Sequence, residues 1–176
     1  MGSDLRCPVV SEGASPIEWQ QVTALLRKVY VIGSFTTKEA ASNMMTPENL
    51  EPAGTLLVAK ETCAGAVLGT TLFLHPDSAL KQLAQDGERE FRLLAVATEA
   101  RGKGVGELLV QACIDRAKNE GATGLVLWTQ PTMYAAQRLY ERLGFQRCSE
   151  RDVPDPRGWD RMVFRKSCMP IAVPLA

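Results

Sequence analysis

Apolar residues along this chain recur with two periods, one helical and one alternating, and the order of the two predicts the elements. Val22, Leu25, Leu26 and Val29 fall at helical spacing behind Ser15-Pro16-Ile17-Glu18, which joins a capping-box pair to a proline at the first helical position. Residues 5 to 10 ahead of them read as a short strand. Thr36 and Glu39 repeat the capping-box signature and open a short second helix, closed by Pro47 and Glu51-Pro52-Ala53-Gly54. Thr55 to Glu61 and Ala66 to His75 are β-rich runs, and the short connection Thr62-Cys63-Ala64-Gly65 makes them a hairpin. Asp77 to Gly87 is a polar insertion with room for one or two helical turns. Glu88 to Ala97 then passes from alternation into Leu93-Leu94-Ala95-Val96, as a buried central strand does. Between Gly104 and Glu120 the apolar positions 105, 108, 109, 112, 113 and 117 face Glu107, Gln111, Asp115 and Lys118 across a helix, with Gly121 beyond its end. Gly124 to Thr129 is a short apolar strand, so strand, helix and strand follow one another as in a right-handed parallel crossover. A further amphipathic helix, Pro131 to Leu143, precedes two last strands, Phe145 to Cys148 and Arg161 to Lys166, which flank the polar loop Glu150 to Asp160.

Length and composition narrow the picture. The 176 residues suit one domain, with a core over about 5–166 and a tail, 167–176, that the pattern does not assign; 45% hydrophobic and 23% charged residues are ordinary globular usage. Twenty basic and twenty acidic residues cancel, so no global field draws the protein to nucleic acid or to an anionic membrane. The five cysteines, Cys7, Cys63, Cys113, Cys148 and Cys168, are odd in number and form no CxxC pair, and His75 is the single histidine. Neither a disulfide framework nor a metal site is expected, and reduced thiols fit a cytoplasmic protein. The segment MGSDLRCPVV carries no long apolar run, so neither export nor a membrane span is expected. One histidine, His75 beside Pro76, and no GxSxG around any serine argue against a Ser-His-Asp hydrolase.

The segment with chemical content is Arg101-Gly102-Lys103-Gly104-Val105-Gly106, between the central strand and the most regular helix. Glycines there let backbone N–H groups approach an anion, and the helix start adds about half a positive charge. Gly104 stands where a Walker A loop needs Ser or Thr, and Glu107 breaks the nicotinamide fingerprint. What remains is Arg-x-x-Gly-x-Gly, a phosphate cradle or a tight surface connection. Behind Leu94-Ala95-Val96, this motif resembles that of the GNAT superfamily of N-acetyltransferases. A second GNAT motif, Asn-x-x-Ala-x-x-Leu/Phe-Tyr-x-x-x-Gly-Phe, is matched by Ala136, Leu139, Tyr140, Gly144 and Phe145, with Met133 in place of the asparagine. The two motifs occur in family order, and the resemblance covers most of residues 5–166. It implies an α/β (α+β) fold: a mixed, mostly antiparallel sheet of about seven strands, flanked by helices, with a central parallel pair splayed to admit acetyl-CoA.

The resemblance also implies a function, N-acetyl transfer from acetyl-CoA to a primary amine by direct attack in a ternary complex. The backbone of Arg101, Gly102, Lys103, Gly104, Val105 and Gly106 would hold the pyrophosphate, and Leu94, Ala95 and Val96 would pair with the pantetheine. Gln130 is a substitute donor for the amide that Met133 lacks. Tyr140 would be the general acid beside the CoA sulfur, or a core residue between Leu139 and Leu143. Glu90 stands at the family's offset for a base, six residues before Val96. A straight strand puts it about 13 Å from Leu94, so a proton path needs water, and Glu90 reads equally as a solvated strand residue. The acceptor, a small-molecule or peptide amine, would lie between Tyr30–Thr36 and Glu150–Asp160. In the second loop Glu150, Asp152, Asp155, Asp160 and Trp159 would suit an ammonium, offset by Arg151, Arg157 and Arg161. A CoA-binding sensor without turnover, a transferase of longer acyl groups and a homodimer stay open.

Overall fold

A computed structural model of the chain describes residues 8–62 and 65–169. The predicted capping box forms at the start of α1 (Pro16–Arg27): Ser15 Oγ accepts from the Glu18 amide, and Glu18 Oε2 accepts from the Ser15 amide. The helix runs on as one π-helical stretch, Lys28–Ile32, before Gly33 ends it. The second cap sits one residue later than the sequence signature places it. Thr37, not Thr36, accepts the Ala40 amide at the start of α2 (Lys38–Met44), and a further short helix, α3 (Pro47–Leu50), follows.

The strands are β1 (Val9–Glu12), β2 (Gly54–Lys60), β3 (Val67–Leu74), β4 (Glu88–Val96), β5 (Gly124–Thr129), β6 (Gln146–Arg147), β7 (Val153–Asp155) and β8 (Trp159–Ser167). They form one sheet in the order β1-β2-β3-β4-β5-β8-β6, with β7 paired to β8, and among the described residues its one parallel pair is β4 with β5. The chain is thus the expected mixed, mostly antiparallel α/β fold, with eight strands among the described residues where the pattern gave about seven. The first strand begins at Val9, so the reading of residues 5 to 10 is shifted, and its residues 5 to 7 lie outside the described residues. The extra strand is β7, inside the stretch read as a polar loop. Asp155, buried at 6% exposure, replaces the alternating apolar residues that a sequence pattern needs.

The connection from Asp77 to Gly87 holds no helix. Its amides are spent otherwise: those of Gln82, Leu83 and Ala84 all donate to Glu90 Oε2, at 3.0, 2.8 and 3.1 Å. A carboxylate that collects three successive amides competes with the local helix bonds they would otherwise make.

Two helices sandwich the sheet. α4 (Val105–Asn119) covers the face on which a Cβ at Gly69 would meet Val105 and Leu109, and where the Arg116 guanidinium lies over Phe73. α1 lies on the opposite face, where Glu18 pairs with Lys60 of β2. α5 (Tyr134–Arg142) closes the β4–β5 end. There Tyr140 and the rings of Phe91, Phe145 and Phe164 have centroids 5.9–6.1 Å apart from the tyrosine. Edge-to-face aromatic contacts of this kind contribute about 0.5–1.5 kcal/mol each beyond area burial.

Candidate active site

β4 and β5 pair only at Glu88–Gly124, Arg89–Leu125 and Glu90–Val126. From Phe91 onward they diverge, because β4 carries a bulge. Its register with β3 shifts between Thr70 and Leu72, and Leu93 takes a left-handed φ of 60°, a strained conformation for a leucine. Thr71 Oγ1 holds the turn by donating to the Arg92 carbonyl at 3.0 Å. A cavity of about 420 Å³ fills the opening, within the range of small-molecule sites. Its walls come from β4, β5, α5, the Tyr30–Thr37 segment and the β7–β8 turn.

The site residues read from the sequence fall into three places. Leu94 and Tyr140 line the cavity. Ala95 pairs with Thr70 and Val96 with Gly69 on the β3 side of β4. The Tyr30 hydroxyl donates to the Leu94 carbonyl at 3.1 Å, which ties the α1–α2 segment to the divergent part of β4. Tyr140 is 5% exposed and its hydroxyl has no partner among the described residues. Burial pushes the phenols of both Tyr140 and Tyr30 well above their ordinary value, so both keep their protons throughout the physiological range.

Arg101 to Gly106 lie beyond the end of β4, outside the cavity lining. Gly102 and Gly104 have φ of 74° and 80°, and a Cβ at either would meet nothing within 4 Å. Gly104 caps α4 without any side-chain hydrogen bond. Among the described residues the amides of Gly104, Val105, Gly106 and Glu107 have no acceptor. Arg101 and Lys103 are exposed and form no ion pair among the described residues. Gly106 has a different reason for being glycine, since a Cβ there would stand 3.2 Å from Leu139 of α5. Unpaired amides at the start of a 15-residue helix, beside open space and two cations, fit a phosphate group.

Glu90 is 1% exposed and does not line the cavity. One oxygen holds the Gln82–Ala84 amides, and Oε1 is fully buried without a partner among the described residues. Gln130 is also committed: its amide nitrogen donates to the Phe35 carbonyl at 2.8 Å, bridging β5 to the α1–α2 segment. Thr129 donates to the Met133 sulfur, and α5 starts with no side-chain cap. Gln137, absent from the sequence reading, donates to the carbonyls of Gln130 and Pro131.

The acidic loop differs from its expectation. Asp155 accepts from Arg157 at 2.7 Å and from Arg161 at 3.0 Å, Asp152 pairs with Arg147, and Asp155 is the one acid lining the cavity. Arg157 and Arg161 hold the Asp155 carboxyl well below the usual carboxylate range, against its burial. Its charge is therefore already neutralised, and Glu150 and Asp160 are exposed outside the cavity lining, so among the described residues no free carboxylate lines the cavity for an ammonium. The residues that sequence reading missed are Arg92, Trp128 and Gln82. The Arg92 guanidinium lies 5.5 Å and that of Arg161 4.9 Å from the Trp128 ring centroid, and Gln82 Oε1 accepts from both Trp128 Nε1 and Arg161 Nη1. The available signal was alternation: Phe91 faces α5, so Arg92 faces the other side.

Comparison with known proteins agrees with this geometry. The model of the Acetyltransferase (GNAT) family matches residues 19–145. N-alpha-acetyltransferase 30 of Schizosaccharomyces pombe is 47% identical over 55 residues, 31% of this chain and 37% of that protein. N-acetyltransferase family 8 member 2 of Rattus norvegicus is 34% identical over 106 residues, 58% of this chain and 43% of that protein. The matches thus span less than half the length of either curated relative. The crystal structure of an acetyltransferase of the GNAT family from Staphylococcus aureus Mu50 superposes with a TM-score of 0.70 at 14% identity, covering 92% of this chain and all of that one. With the family model spanning most of the chain and both GNAT motifs on the elements that carry them, the chain belongs to the GNAT family of acetyltransferases.

Proposed function

We propose that this protein transfers the acetyl group of acetyl-CoA to a primary amine by direct attack in a ternary complex. The observation that carries the reading is the divergence of β4 from β5 after Glu90, which opens a cavity between two otherwise paired strands. Amides from Gly104 to Glu107, with Arg101 and Lys103, would hold the pyrophosphate, and the β4 edge from Leu93 to Val96 would take the pantetheine. Bound acetyl-CoA supplies an activated thioester.

The chain's own residues have three tasks. The walls of the cavity exclude water and orient an amine, which must be neutral to attack. Tyr140 presents a protonated phenol from α5. Its ordinary pKa of about 10 already exceeds the thiol value of about 8.5, and burial widens the gap. Full proton transfer to a thiolate is therefore uphill in the free protein. The phenol acts first as a hydrogen-bond donor to charge developing on sulfur, and any proton it gives up as the C–S bond breaks is returned by the water that deprotonates the amine. Glu90 would act on the amine only through water at Oε1, since the side chain stands behind the cavity wall.

Calorimetry with acetyl-CoA, followed by thiol release with a panel of amines, tests the reading. Binding with turnover is expected. Binding without release for any amine would favour a CoA sensor, and faster release from longer thioesters would favour a different acyl donor.

A further inference from the structure

Resting on the acetyl-transfer reading above, we infer that the acceptor is a small amino carboxylate with an apolar side chain, whose carboxylate is held by Arg92 and Arg161 beside Trp128. Three arginines and one acid line the cavity. Both oxygens of that acid, Asp155, are taken by Arg157 and Arg161, and the remaining Arg157 Nη1 donates to the Phe35 carbonyl. Arg157 and Asp155 thus cancel, and the excess positive charge belongs to Arg92 and Arg161.

Arg92 is the less satisfied of the two. Of five guanidinium N–H donors it uses one, from Nη1 to the Leu80 carbonyl at 2.9 Å, and it forms no ion pair among the described residues. Burial pulls its pKa below the ordinary value, with the charge of Glu90 acting the other way. Glu90 itself faces the Gln82–Ala84 amides. A half-buried guanidinium with four free donors is costly to keep unless an anion pairs with it, and a carboxylate matches its fork geometry. Arg161 keeps Nη2 free among the described residues, with Nε on Asp155 and Nη1 on Gln82. Because Gln82 also binds the Trp128 indole, the arginine and the ring are fixed before any ligand arrives.

Reach limits the acceptor's size. Arg92 precedes Leu94, beside which the thioester would lie, by two residues across the Leu93 bulge, so the backbone separation is at most the about 7 Å of an extended strand. An amine one or two carbons from its carboxylate can span that distance with the carboxylate on Arg92. Phe35, Met44 and Met45 line the α1–α2 side, so a side chain directed there would be apolar. In the reaction the amine nitrogen bonds to the acetyl carbon as the C–S bond breaks. The amine loses its proton to water, the thiolate gains one, and the acceptor carboxylate is unchanged. A peptide amino terminus offers no α-carboxylate at this distance.

The test is thiol release by the full chain with phenylalanine, phenylalaninamide and phenethylamine. The amide has the less basic amine and so the larger neutral fraction; preference for the free acid therefore cannot arise from amine basicity. Phenylalanine should exceed the other two in kcat/KM by about 10- to 100-fold, as expected when a charged hydrogen-bond partner is missing. Arg92→Gln should erase that preference while acetyl-CoA affinity by calorimetry stays within about threefold, which also shows that the variant folds. Equal or better turnover of the amide or of a peptide, with Arg92→Gln unaffected, would overturn the carboxylate site and leave acetyl transfer standing. If no amine turns over, the acetyl-transfer reading fails instead. The carboxylate site is then read by titrating 3-phenylpropionate: binding that Arg92→Gln abolishes supports it, and no binding overturns it.

Discussion

Tyr140 separates catalysis from binding most cleanly, because its hydroxyl can be removed while the ring keeps its contacts with Phe91, Phe145 and Phe164. Tyr140→Phe should lower kcat by about 10²- to 10⁴-fold with little change in acetyl-CoA affinity, measured by steady-state kinetics beside calorimetry. A kcat equal to wild type would make the tyrosine a core residue only. Glu88 offers a second expectation at this scale. Burial works to raise its pKa, but hydrogen bonds from Arg151 and Arg165 outweigh it and hold the carboxyl at about 2. A folded-state pKa below the unfolded value stabilises above the unfolded value and is lost as pH falls. Stability of about 3 kcal/mol should therefore fade between about pH 4.5 and pH 2, and Glu88→Gln should flatten the denaturation curve across that window. Tyr140 was legible because it sits in a motif of fixed spacing. The bonding of Arg92, Trp128 and Gln82 was not, since it joins residues from a strand, its neighbour and an irregular loop that no local spacing relates.

At the scale of elements, the α4 start and the β4 bulge define the site. Gly104 tests the first. Gly104→Val forces a β-branched residue into φ of 80°, which should cost about 1–2 kcal/mol. It also puts a side chain in the open space beside the free amides, so acetyl-CoA affinity should fall at least tenfold. Gly121→Val imposes similar strain at the other end of α4, where φ is 70°, and should leave that affinity unchanged. Equal losses in the two variants would mean that strain, rather than the anion site, is being measured. The helices were readable because their caps and periods are local, down to the Ser15–Glu18 box. The bulge was not: Leu93 sits in an ordinary apolar run, and only pairing with Thr70 to Leu72 reveals its turn. The β7 strand escaped for a related reason, since its inward residue is an aspartate satisfied by arginines two and six positions later.

For the whole molecule, the sheet joins two halves at three residue pairs and leaves the rest of that seam open. Most of this plan was legible, because strand, helix and strand in succession demand a parallel neighbour pair. The seam's opening was an expectation from resemblance alone. The direct measurement is mass spectrometry of N-acetylated amine beside thiol release, for the wild-type protein and for Ala136→Trp, whose indole would fill the cavity from α5. The account predicts one thiol per acetylated amine in the wild type. In the variant both signals should fall together by at least tenfold, with α4-end acetyl-CoA binding partly retained. Undiminished product from Ala136→Trp, or thiol release with no acetylated amine, would contradict it.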